Sequence, residues 1–136
     1  MAGYSKRALI DKLGIKPGQR LIIIDAPGGY DQTLGALPDG IMQAESLRGE
    51  FDFIHAFNTS RATFEQQFPQ WKAHLAKTGM LWVSWPKGSA KAKIATDLNE
   101  TIIRDVGLAC GLVDVKVAAI DDDWSGLKFV WRLKDR

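Results

Sequence analysis

Residues 21–24, Leu-Ile-Ile-Ile, constrain this chain more than any other segment. Four consecutive apolar residues cannot leave one face of a strand in water. Such a run suits a strand covered on both faces, as in a parallel sheet. It ends at Asp25-Ala26-Pro27-Gly28-Gly29-Tyr30, where proline and glycine stop the strand. A short helix is expected from there to Leu37, closed by Pro38-Asp39-Gly40. A sheet buried on both sides needs helices between its strands, so the rest of the chain is read for that alternation.

The alternation is there. Residues 5–13 read as a helix with Ser5 as its cap and Gly14 as its stop. Residues 41–45 are a candidate second strand, and 51–57, Phe-Asp-Phe-Ile-His-Ala-Phe, a stronger third. Ser60 or Thr59 then caps a helix whose apolar face is Phe64, Phe68, Trp71 and Leu75. Pro69 should kink or split that helix, and Gly79 should end it. Residues 80–85 form the next strand. Asp97, with Glu100 three positions on, suggests a capping box for a helix burying Leu98, Ile102, Val106 and Ala109, with Gly111 as the stop. Val113, Val115, Val117 and Ala119 alternate with Asp114, Lys116 and Ala118, and Leu127, Phe129, Trp131 and Leu133 with Lys128, Val130 and Arg132. These two segments flank residues 121–126 and predict a hairpin. The expected fold is therefore three-layer α/β: a mostly parallel sheet with a C-terminal antiparallel hairpin, in one domain spanning 1–136.

Composition narrows the function classes. A chain of 136 residues fits one domain with a full core. A net charge of +2 is too small to argue for nucleic acid or an anionic membrane. One cysteine, Cys110, excludes an internal disulfide and a cysteine metal cluster. No apolar stretch approaches the ~20 residues of a membrane span, and residues 1–16 lack a signal-peptide pattern, so a cytoplasmic location is expected. His55, His74 and Cys110 read as structural, and no metal site is expected.

Ligands of open parallel sheets bind beyond the carboxyl ends of the strands. Asp25, Gly28, Gly29 and Tyr30 follow the first strand, where glycines let a ligand approach the backbone and a helix start favours anions. Glu45 ends the candidate second strand, where a carboxylate can bind ribose hydroxyls. A plain Pro-Gly turn and a solvated glutamate would use the same residues. Asn58 and Arg61 open a helix, as an anion site or a simple cap. Trp85 and Lys87 suit a nucleobase and a phosphate, or else a core tryptophan beside an exposed lysine. Asp121, Asp122 and Asp123 could offer oxygen to a cation, though a solvated turn explains them as well. Trp124 must fold back onto something, since turn tips seldom carry tryptophan. With the returning strand beside residues 80–85, Lys87 should face the three aspartates. Trp85 and Trp124 should then form one wall, with Ser125 nearby.

Three resemblances follow from these motifs. The run Ala26-Pro27-Gly28-Gly29-Tyr30-Asp31-Gln32 resembles the cofactor loop, Ala-Pro-Gly-Gly-Trp-Ser-Gln, of RNA ribose methyltransferases related to the bacterial heat-shock rRNA methyltransferase. That family's catalytic Asp, Lys and Glu are not matched: the corresponding places hold Ala56-Phe57-Asn58, Ser84 or Trp85, and Leu127. The terminal hairpin resembles that of S-adenosylmethionine-dependent methyltransferases, implying a truncated Rossmann-like topology that lacks one strand–helix unit before Phe51. The segments LGIKPGQR, WVSWPKG and GLVDVKVAAIDDDWSGLKFVWR together resemble a family of small bacterial proteins defined as a domain of unknown function. That resemblance singles out Trp85, Pro86, Lys87, Asp121, Trp124, Ser125 and Gly126 without giving them roles. The expected function is binding of a nucleotide-like ligand or a protein partner on a methyltransferase-like scaffold. S-adenosylmethionine-dependent methyl transfer is the alternative, with S-adenosylmethionine as the candidate cofactor. RNA binding through Lys128, Arg132, Lys134 and Arg136 is the weakest reading.

Overall fold

The computed structural model describes residues 8–89 and 93–136. The elements run α1 (Leu9–Leu13), β1 (Arg20–Ile24), α2 (Tyr30–Leu34), β2 (Met42–Ala44), β3 (Phe51–Phe57), α3 (Arg61–Ala73), β4 (Leu75–Pro86), α4 (Glu100–Ala109), β5 (Leu112–Ala119) and β6 (Trp124–Trp131), with a 3₁₀ turn at Leu133–Asp135. The six strands form one sheet in the order β2-β1-β3-β4-β6-β5. β1 is parallel to β2 and β3, β3 is parallel to β4, and β6 is antiparallel to both of its neighbours. The fold is thus mixed α/β with the antiparallel hairpin at its C-terminal end. No helix joins β2 to β3; residues 45–50 alone make that crossover. No described helix is long and apolar enough to cross a membrane.

Alternation along the strands sorts side chains into two cores. Phe51, Ile54, Leu81, Val83, Leu127 and Phe129 pack with Phe64, Phe68 and Trp71 of α3 and Ile103 of α4. Leu21, Phe53, Phe57 and Trp82 pack on the other side with Leu9 and Leu13 of α1 and Tyr30 and Leu34 of α2.

Several local expectations are corrected. Ser5 lies outside the described residues, and Ala8 is the residue before α1. α2 ends at Leu34 because Gly35, at φ 80°, leaves helical geometry there. α3 runs unbroken through Pro69, which sits on its exposed side. It stops at Ala73, not Gly79, because Phe51 N donates to His74 O at 2.8 Å and draws Leu75 into β4. The β3–β4 register then shifts, from Phe51 opposite Leu75 to Phe53 opposite Met80. Gly79 fits that irregularity: a Cβ there would lie 2.9 Å from Phe51 O. α4 is capped by Asn99, whose side chain accepts from Ile102 N, while Asp97 accepts from Arg61 N. Its most buried residues are Ile103 and Gly107; Ile102 and Val106 are half-buried and Ala109 is exposed.

β5 also departs from its simple alternation. Its pairing steps from Asp114–Phe129 to Lys116–Lys128, leaving Val115 as an extra residue. A bulge reverses which face later residues point to. Leu112 accordingly enters one core and Ala118 the other, while Val115 and Val117 are exposed. Leu133, expected to continue the β6 alternation, lies in the 3₁₀ turn and is exposed.

The Ser60 cap is as expected: its Oγ accepts from Thr63 N at 3.3 Å. Ser60→Ala is expected to lower stability by about 1 kcal/mol, measured by urea unfolding with an unchanged m-value.

Candidate functional site

The parallel strands β1 and β3 end at the same rim, and the β5–β6 turn returns to it because β6 reverses direction. A cleft of about 260 Å³ opens there, lined by Asp25, Phe57, Asn58, Thr59, Ser60, Thr63 and Trp124. A second, of about 300 Å³, lies between the β1 end and α3; its wall includes Asp25, Glu45, Leu47, Gln67 and Gln70. Asp25 belongs to both. Its backbone is left-handed, φ 58°, a conformation rare outside glycine, asparagine and aspartate that collects at functional sites. Glu45 is the first residue after β2. β2 is therefore a true if short strand, and its end delivers a carboxylate beside Asp25.

The glycine loop is ordered by its own turn. Tyr30 N donates to Pro27 O at 3.2 Å, and Gly29, at φ 85° and ψ −1°, holds the position of a type II turn that needs positive φ. Gly28 and Gly29 are exposed, and an added Cβ on Gly28 would meet nothing within 4 Å. Tyr30 points inward, 2% exposed.

Its phenol meets His55 Nδ1 at 2.7 Å, and His55 Nε2 meets Ser84 Oγ at 2.7 Å. All three side chains are buried, and among the described residues no buried side-chain polar atom lacks a partner. Burial pushes the His55 pKa down to about 3, so the ring is neutral and carries one N–H. Burial, with the charges of Asp121 and Asp31, pushes the Tyr30 phenol up. Ser84 continues the chain, since its carbonyl accepts from Asn58 N at 3.0 Å and Asn58 Nδ2 at 3.4 Å. The glycine loop and the Asn58 wall are thereby joined through the core. Sequence reasoning missed this chain. The signal was His55 between Phe53 and Phe57 on one strand face, where a buried imidazole must find two partners.

The other candidate residues divide. Trp124 folds back onto Phe57, with ring centroids 5.2 Å apart, and lines the first cleft. Trp85 does not join it. Trp85 pairs with Ser125 and lies in the α3–α4 core, whereas Trp124 lies in the opposite core. The expected aromatic wall is therefore split by the sheet. Lys87 meets the turn through its backbone N–H, which donates to Asp123 O at 2.8 Å. Asp121 Oδ1 accepts from Asp123 N and Trp124 N, so it shapes the turn. Arg61 pairs with Glu65 at 3.3 Å, and its N–H is taken by Asp97. With Thr63 N held by Ser60, this helix start is already capped. Phe57 and Thr63 line the first cleft, and Gln67 and Gln70 the second; the sequence reading had named none of these as site residues.

No protein-family model matches the chain. No curated protein matches its sequence. Solved structures resemble its fold. Magnesium protoporphyrin IX methyltransferase from Synechocystis, with bound S-adenosylhomocysteine, superposes with a TM-score of 0.61 at 12% identity, covering 92% of this chain and 80% of that one. A TehB-like S-adenosylmethionine-dependent methyltransferase from Corynebacterium glutamicum gives 0.57 at 12% identity, over 96% and 91%. A protein of Bordetella parapertussis described as a possible exported protein gives 0.61 at 9% identity, over 90% and 64%. At these identities the likeness is one of fold: a Rossmann-like methyltransferase fold.

Proposed function

We propose that the rim binds a nucleoside ligand of the S-adenosylmethionine class. The observation that carries this reading is that two adjoining clefts share Asp25, one of them walled by Glu45 at the β2 end. A carboxylate beyond the second strand is suited to ribose hydroxyls, and glutamine amides to the edge of a base. The residues fit such a group: Glu45 and Asp25 would hold its sugar and polar arm, and Trp124 would cover its apolar part. Bound S-adenosylmethionine would supply an activated methyl group. This chain's own contribution is recognition and orientation by one carboxylate at each strand end. The concave walls favour a small ligand over a protein partner.

Methyl transfer is the second reading, favoured by the first cleft. A ligand held by Glu45 and Asp25 leaves the Asn58–Thr63 side of that cleft open to an acceptor, and some transfers need only positioning. Membership of the small bacterial family belongs to the same proposal. Its support is that Trp85 and Pro86 pair with Ser125 and Trp124 in one ladder.

Calorimetric titration tests the binding. S-adenosylhomocysteine is expected to bind. Glu45→Gln should weaken it about tenfold, the loss of one hydrogen bond to a charged group, while melting stays unchanged because Glu45 is exposed. Affinity unchanged from the wild type in both Glu45→Gln and Asp25→Asn would refute this assignment.

A further inference from the structure

The opposite end of the sheet carries a second cleft system. β4 begins there and the reversed β6 ends there, so Leu75 and Trp131 lie side by side: Trp131 Nε1 donates to Leu75 O at 3.1 Å. The indole is thereby fixed. Two ammonium groups converge on it. Lys77 Nζ lies 3.6 Å from its ring centroid and Lys72 Nζ 5.1 Å. Lys72 is itself oriented by donating to Cys110 O at the end of α4. Around these groups opens a cleft of about 560 Å³, with Pro69 and Leu75 as apolar walls and Glu50 as its one carboxylate. That volume suits a small organic ligand.

Both lysines line the cleft, and an anion bound there would pair with their ammonium groups. The backbone nearby is tied by further cations: Arg132 donates to Leu108 O and Arg136 to Trp131 O. The apolar walls accept a ring, and the ammonium groups accept its charge. We infer that this cleft is a binding site for a ring-bearing organic anion, of which a nucleoside monophosphate is the representative. It is separate from the rim and does not rest on the function proposed there.

Tryptophan fluorescence tests this, because Trp71, Trp82, Trp85 and Trp124 are buried and Trp131 is half-buried. Iodide should quench Trp131 far better than caesium, since the lysines attract one and repel the other. Millimolar uridine monophosphate, a probe without an adenosyl group, should reduce iodide quenching about twofold or more, and uridine and pyrophosphate should do less. Lys77→Glu should weaken that protection about tenfold without lowering the melting temperature, because Lys77 is exposed. The rim variant Asp25→Asn should leave it intact. The site is refuted if the monophosphate does not protect, or protects Lys77→Glu equally well. Much tighter protection by a short oligoribonucleotide would replace it with an RNA surface.

Discussion

Replacing His55 by phenylalanine is expected to cost about 3 kcal/mol, because it strands two buried hydroxyls, those of Tyr30 and Ser84. Urea unfolding at neutral pH measures the loss. The same residue imposes a pH dependence whose sign is fixed. Unfolded, its imidazole takes a proton near pH 6.5; folded, it resists until about 3. Below pH 6.5 the unfolded chain therefore binds more protons than the native one, and stability falls as pH falls. The slope approaches about 1.4 kcal/mol per pH unit between those limits. Between pH 6.5 and 5 the wild type should lose roughly 2 kcal/mol more than His55→Phe does. Parallel losses in both proteins would mean that His55 titrates normally and is not buried as described.

Gly107→Ala is the second large effect. A methyl group there would lie 2.0 Å from Phe129 Cε1 and 2.4 Å from Cζ. Phe129 is fully buried and packs edge-on against Phe68 at 5.5 Å, so the ring cannot yield cheaply. Alanine favours a helix by about 1 kcal/mol over glycine, yet overpacking should win and leave a net loss of about 2 kcal/mol. Thermal melting reads it, with Leu108→Ala as the control: that residue is exposed on the same helix and should change little. A stabilised Gly107→Ala would mean that α4 does not seat on Phe129.

These two contacts mark what the sequence could and could not reveal. The element order was legible because each strand carried its own pattern. The unbroken run at 21–24 demanded cover on both faces, and Phe129 and Leu127 kept the period of two. Readings failed where one residue changed the phase. Val115 is extra to its ladder, so Val115 and Val117, expected inside β5, face water. Trp85 is opposite Ser125, so Trp124, one position away, points through the other side of the sheet. Asp25 and Glu45 could be nominated because strand ends define the rim. That they open onto one cleft depends on the short crossover at 45–50 passing beside α3, which no local pattern encodes. The Tyr30–His55–Ser84 chain was hidden for the same reason, since its members come from three elements.

Amide chemical-shift mapping with S-adenosylhomocysteine tests the central claim most directly. Saturable shifts are expected at Asp25, Glu45, Thr59 and Trp124, with residues around Leu108 and Trp131 unmoved. No saturable shift at millimolar ligand, or shifts confined to the Trp131 end, would contradict a nucleoside site at the rim.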